Sequence, residues 1–490
     1  MKSSDPLQIH LSLVSHTNVG KTTLARTLLM RDVGEVADRA HVTETTDDYV
    51  LVRSREGGEL ILWDTPGFGD SVALARRLEE RQNPIGWFIS QVWDRFANKA
   101  FWLDQRLIRH IRDRSDVVLY LVNVDQLPEH ASYIRSEMQI LAWIRKPVLV
   151  LLNQLGEPRP PEAEAADVDR WREALAPYPF VADILPLDAF ARCWVQERTL
   201  LEAIGRALPE TLTQAYRALR LSWERGRQAI YEASIEAMAQ HLQKLASAQA
   251  KLPLPSLKDR ALEMAFRLGL TKDEKTPLHD AQDVLRSRAA DSFCALTNRL
   301  LEVNGLHGEG VPKEIYRRMK TDWNLASYGL DPGSAAAIGA GLGLAGGAAA
   351  GAMADAASGG LSLGVGSIIG TVLGAVSGLG AAKAYNYRSG KTDAVLSWSE
   401  SALDDFMLEA VLLYLAVAHY GRGRGDWAEG ESPAFWKETV AEVLKHQKSE
   451  RGGCAAHEGE ASFDTDGWER RLSAAVGAVL EKLYPTPTAS

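Results

Sequence analysis

Ser15-His16-Thr17-Asn18-Val19-Gly20-Lys21-Thr22-Thr23 combines a glycine, a lysine and several hydroxyls in the order that phosphate binding requires. An apolar run at 9–14 leads into it, and the helical pattern LARTLLM follows. Between a strand and a helix N-terminus, the backbone N–H groups of Thr17, Asn18, Val19, Gly20 and Thr23 can surround a β-phosphate, aided by the positive end of the helix dipole. Lys21 supplies a point charge for the β and γ oxygens, and the Thr22 hydroxyl is a ligand for Mg²⁺. The first glycine of the usual G-x-x-x-x-G-K-[ST] pattern is Ser15 here, a residue that still suits the extended end of a strand. A chance Gly-Lys-Thr turn explains neither the strand before it nor the helix after it.

Asp64-Thr65-Pro66-Gly67 comes directly after the apolar run Leu60-Ile61-Leu62-Trp63. A carboxylate at the end of a buried strand belongs near Mg²⁺, usually through water. Gly67 has no Cβ to block its N–H from a γ-phosphate. D-x-x-G alone is a weak pattern; following a strand, at this distance from a phosphate loop, it is a strong one. Between the two motifs, His41-Val42-Thr43-Glu44-Thr45-Thr46 offers three hydroxyls for the threonine that closes over the metal. Thr43 is favoured; Thr45 and Thr46 read equally well as strand entry. Lys21, Thr43 and Gly67 are the expected catalytic groups.

Such residues need a scaffold that ends a buried strand at a helix N-terminus. Apolar runs at 9–15, 49–53, 60–63, 117–122, 148–152 and 181–185 are rich in Val, Ile and Leu, as expected of strands covered on both faces. They alternate with helical patterns, which predicts an α/β P-loop fold over 1–210 with a mostly parallel sheet flanked by helices. Residues 68–115 read as a helical insertion rich in Arg, Trp and Phe, larger than a minimal domain of this kind needs. From 211 to 332 the pattern is helical, with 212–252 as one long run ended by Pro253 and Pro255. Residues 333–384 read as a Gly/Ala-rich helical hairpin, and 385–490, including 391–421, as amphipathic helices.

SHTNVGKTT, VTETT and DTPG together resemble the Era/TrmE/septin group of translation-factor-class GTPases. The segments RDVGEVADR, LWDTPGFGD and PVLVLLNQ bring the chain closer to a bacterial family of uncharacterised GTPases, whose G domain precedes a helical region of unknown function. The motif resemblance covers about the first 190 residues and implies GTP and GDP as ligands, Mg²⁺ as cofactor and hydrolysis as the activity. In this group a hydrophobic residue follows D-x-x-G, here Phe68, which cannot orient a water by hydrogen bonding. In potassium-dependent members a P-loop Asn ligates K⁺, and Asn18 stands at that position. The base-reading N-K-x-D is Asn153-Gln154-Leu155-Gly156 here: Asn153 keeps its place against the purine, while Gly156 lacks the carboxylate that pairs with guanine. Leu187-Asp188-Ala189 stands in place of the last base-contacting motif. Arg76–Arg81 offers an arginine finger in cis, although a solvated helix face is the simpler account.

The chain has 490 residues, enough for about three domains, and a net charge of −9 without a Lys/Arg block, so nucleic acid is not expected as a partner. Cys193, Cys294 and Cys454 are isolated and read as reduced thiols, and the histidines show no metal-ligand spacing. No apolar signal-peptide stretch precedes the first strand pattern. Gly339, Gly343, Gly347 and Gly351 recur every four residues, as do Gly366, Gly370, Gly374 and Gly378. On a helix this spacing forms a groove of small residues. Residues 335–354 are uncharged and span ~30 Å as a helix, the depth of a hydrocarbon core. Basic and aromatic residues flank both outer ends, with Asp355 at the turn. The expectation is a cytoplasmic protein held at the inner membrane through 335–382, with lipid and a protein partner or a second copy as partners. A nucleotide-gated pore and a soluble switch are the rival functions; a soluble packed hairpin and a flexible linker are the rival readings of the glycine rows.

Overall fold

The computed structural model describes residues 7–16, 19–31, 46–79, 81–91, 99–124, 126, 132–153, 160–187, 193–252, 277–308, 328–330, 394–421, 427, 433–454 and 464–485. The N-terminal unit runs β1 (Gln8–Ser15), α1 (Lys21–Leu29), β2 (Asp47–Arg53), β3 (Glu59–Asp64), α2 (Ser71–Leu78), α3 (Pro84–Ser90), α4 (Lys99–Arg114), β4 (Val117–Asn123), α5 (Ser132–Ile144), β5 (Val148–Asn153), α6 (Pro161–Leu175), β6 (Val181–Pro186) and α7 (Trp194–Ala207). The sheet order is β2-β3-β1-β4-β5-β6, with β2 antiparallel on the edge and every other pair parallel. Every residue of β5 is buried, as is all of β4 up to Val122, which explains their unbroken aliphatic sequences. β1 sits between β3 and β4, so the strand order reverses beside it, the position outside whose C-terminal end sheets of this kind bind ligands. All six strands fall where the apolar runs predict them, with ends shifted by at most two residues. After Gly67 the described residues form three helices, α2, α3 and α4.

The second unit contains α8 (Glu210–Ala246), β7 (Gln249–Leu252), α9 (Pro277–Val303), β8 (Tyr328–Leu330), β9 (Ala394–Trp398), α10 (Glu400–Ala418), α11 (Ala434–Cys454) and α12 (Thr465–Leu483). Two expectations need correction here. The run at 212–252 is not all helix: α8 stops at Ala246, and 249–252 form a strand antiparallel to β9, with β8 on its other side. Its partner lies far downstream, so local spacing carries no trace of the pairing. Residues 391–421 are not simply amphipathic helix either. β9 comes first, and α10 then buries 13 of its 19 residues, because it is the central helix of the core.

α9 contributes Leu285 and Phe293 to that core, α10 contributes Phe406 and Val411, and α12 contributes Trp468 and Val476. The helices before and after the glycine-rich segment thus share one interior. α8 belongs to two cores: Tyr216 and Leu219 pack under the N-terminal sheet, and Met238 and Leu242 pack in the helical core. Between them Arg227 reaches the Glu197 carboxylate on α7 and the Met30 sulfur at the end of α1. The glycine rows at 335–382 lie outside the described residues. Among the described residues, no helix is long and apolar enough to cross a membrane.

Candidate nucleotide site

The loop after β1 enters α1 through Gly20, whose φ of +94° lies in the left-handed region. A Cβ there would come within 2.8 Å of Asn153 Nδ2, so glycine is required for both backbone and space. Lys21 is the first residue of α1, and its Nζ donates to Ser15 Oγ at 3.1 Å, so the unusual serine at the motif's first position holds the lysine. Burial pulls the Lys21 ammonium below its usual range, while the Asp64 and Glu137 carboxylates counter that shift.

The β1–β3 register pairs Leu13 with Asp64 and brings the end of β3 beside the loop. Thr22 Oγ1 donates to Asp64 Oδ2 at 2.6 Å. Asp64 Oδ1 is buried without a hydrogen-bond partner. Burial raises the Asp64 carboxyl, opposed by the Thr22 hydrogen bond and the Lys21 charge. A hydroxyl and a carboxylate with an unused oxygen, adjacent to a lysine, fit a hard divalent cation with oxygen ligands.

Residues 10–154 match the family described as 50S ribosome-binding GTPase, and residues 310–467 match a domain of unknown function, DUF3482. The N-terminal unit is a P-loop GTPase domain. Several solved GTPase structures are similar to the chain. Era with MgGDPNP and a piece of 16S ribosomal RNA is 20% identical over 42% of this chain and 58% of its own, with a TM-score of 0.29. Era from Aquifex aeolicus bound to GDP.AlF4⁻ is 15% identical over 60% of this chain and 90% of its own, with a TM-score of 0.29. The FeoB G-domain from Methanococcus jannaschii is 17% identical over 44% of this chain and 98% of its own, with a TM-score of 0.22. This chain therefore spans less than two thirds of the first of these.

In the GTPase domain Phe68 is wholly buried, packed with Val14 and Leu74 in the core. Its N–H donates to the Ser15 carbonyl at 3.0 Å, which ties the D-x-x-G segment to the phosphate loop. Asn153, also wholly buried at the end of β5, donates through Nδ2 to the Val19 carbonyl at 2.6 Å. The sequence places Asn153 against the base; the geometry adds a hold on the loop itself. Thr17, Asn18, Thr43, Thr45, residues 154–156 and residues 188–189 lie outside the described residues; of the expected set, the geometry joins Thr22 to Asp64 and Asn153 to Val19 and Gly20, with Lys21 held by Ser15 beside them.

Two buried carboxylates escaped the sequence reading. Glu137 on α5 accepts from the Tyr120 hydroxyl at 2.5 Å and the Ser71 hydroxyl at 3.1 Å, and lies 2.9 Å from His16 Nδ1 in the phosphate loop. Asp104 on α4 accepts from the N–H groups of Gly69 at 2.7 Å and Asp70 at 3.3 Å. Each had a legible signal, an acid within an apolar helix stripe: Glu137 with Ile134, Met138 and Leu141, and Asp104 with Leu107, Ile108 and Ile111.

Proposed function

We propose that this GTPase is a nucleotide-controlled switch acting at a membrane, hydrolysing GTP with Mg²⁺ through the groups around Lys21, Thr22 and Asp64. The observation that carries the site reading is the 2.6 Å Thr22–Asp64 contact beside Lys21, with Asp64 Oδ1 left without a partner. Bound Mg²⁺ would neutralise charge on the β- and γ-phosphates. Lys21 would hold the same oxygens from the helix N-terminus, and the Gly67 N–H would serve the γ-phosphate. Thr43 is the residue expected to complete the Mg²⁺ site when triphosphate is bound. Phe68 points into the core, so water is oriented by other groups; Asn18 as a K⁺ ligand is the favoured route. Faster hydrolysis in potassium than in sodium is the expected result, and equal rates would remove Asn18 from that role.

The membrane reading rests on 335–382. β8 and β9 are antiparallel neighbours, with Leu330 opposite Leu396, so the chain leaves and re-enters one small sheet around this segment. A hairpin with both ends on the same side, at the cytoplasmic face of the inner membrane, needs that arrangement. Lipid and a protein partner or second copy are its proposed contacts. Flotation of the full chain with anionic liposomes, with GDP and with a GTP analogue, tests this. Absence of the protein from the lipid fraction in both states would reject it, and dye release on GTP addition would favour the pore.

A further inference from the structure

After Gly67, four consecutive residues each place a polar group on a partner from elsewhere in the fold. Phe68 N–H donates to the Ser15 carbonyl, Gly69 N–H to Asp104 Oδ1, Asp70 N–H to Asp104 Oδ2 and the Ser71 hydroxyl to Glu137 Oε1. Asp104 is wholly buried and comes from α4, within the segment 68–115 that the sequence reads as a helical insertion. The α4 backbone lies directly against this segment: a Cβ on Gly69 would sit 2.8 Å from Ala100 Cα and 2.9 Å from its carbonyl oxygen. Capping does not explain the contact, because Asp70 already caps α2 by accepting from Ala73 N–H at 3.0 Å. Burial pushes the Asp104 carboxyl up to about 7, with the Gly69 and Asp70 N–H groups opposing that shift and Glu137 and Asp70 adding to it. A carboxylate kept at such a disadvantage calls for a use beyond packing.

We propose that Asp104 is a positioning residue for hydrolysis, which fixes the backbone at Gly69 and Asp70 so that the Gly67 N–H is held ready for the γ-phosphate. α4 thereby supplies in cis an ordering that a mobile D-x-x-G segment obtains only from the triphosphate itself. This rests on the assignment of Gly67 made above. It separates two nucleotides: GDP has no γ-phosphate and does not depend on this segment, whereas turnover does.

The test is Asp104→Asn in the full chain, which keeps one acceptor oxygen and turns an NH2 group toward a backbone N–H. Displacing a group by about 1 Å can cost on the order of 100-fold in rate. The expected result is a kcat for GTP lowered about 10- to 100-fold, with GDP affinity within about two-fold of the parent. A kcat within two-fold of the parent overturns the proposal, as does a loss of GDP affinity equal to the loss of kcat, which would mark a general deformation. Gly69→Ala strains the same contact from the other side without touching the carboxylate. It should give the same split, and decides the matter if Asp104→Asn fails to fold. A parent protein that shows no Mg²⁺-dependent GTP hydrolysis would reject the nucleotide-site reading instead.

Discussion

Asn153→Ala separates the two roles open to this residue. The side chain donates a 2.6 Å hydrogen bond to the Val19 carbonyl, with both residues buried, and its amide nitrogen also fills the space beside Gly20. Leaving a buried carbonyl without its donor costs about 1–3 kcal/mol. At ~1.4 kcal/mol per factor of ten, and with the loop required in its bound shape, nucleotide affinity should fall about 5- to 150-fold. Because the contact is with the loop, the loss should be the same for any base. Titration of parent and variant with fluorescent GDP and UDP measures it, with a thermal melt to record any shared loss of stability. A drop for GDP with UDP unchanged would assign Asn153 to the base and refute the reasoning, as would affinities within two-fold for both.

Lys21→Ala should abolish triphosphate binding in a calorimetric titration, since it leaves phosphate charge unpaired in a buried site. Thr22→Ala should keep GDP binding in EDTA but lose the Mg²⁺-dependent gain, because Asp64 retains its carboxylate and loses the hydroxyl at 2.6 Å. Competition should show guanine preferred over adenine far less than in GTPases with an intact N-K-x-D, Gly156 having no carboxylate; a preference of many thousand-fold would contradict this. Asp104 binds its proton more tightly folded, with its carboxyl raised to about 7, than unfolded, near ~3.9. Its contribution to stability therefore declines as pH rises from about 4 to about 7 and is constant above. The melting temperature of Asp104→Asn relative to the parent should accordingly improve across that window; a pH-independent difference would refute the linkage.

The nucleotide site was legible because its signals are local: Gly20, Lys21 and Thr22 adjoin one another, and Asp64 closes an apolar run. The central strands were legible for a related reason, since burial on both faces leaves only aliphatic residues at 117–122 and 148–152. What failed was non-local. β7 is a strand because β9 lies beside it, nearly 150 residues downstream, and nothing within 249–252 records that. α10 reads as a helix but not as the centre of a core, because that depends on α8, α9, α11 and α12 closing around it. Asp104 and Glu137 sat in plain view as acids within apolar stripes, yet their partners, Gly69, Asp70, Ser71 and His16, are 34 to 121 positions away.

α8 has a mechanical consequence. Its 37 residues make a rod of about 55 Å, seated by Tyr216 and Leu219 under the GTPase sheet and by Met238 and Leu242 among the other helices. Arg227 braces the rod near mid-length against Glu197 and Met30, one residue before the stretch that leads to Thr43. The far end passes within three residues into β7, in the same sheet as the strands that bracket 331–393. A stiff rod converts rotation into travel: a tilt of about 5° at the sheet displaces its other end by about 5 Å, close to one helical turn. A lever of this kind needs no wire of side chains to carry nucleotide state outward. It needs only that the α1 terminus move, and the small sheet of β7, β8 and β9 is at the end of the arm that moves most.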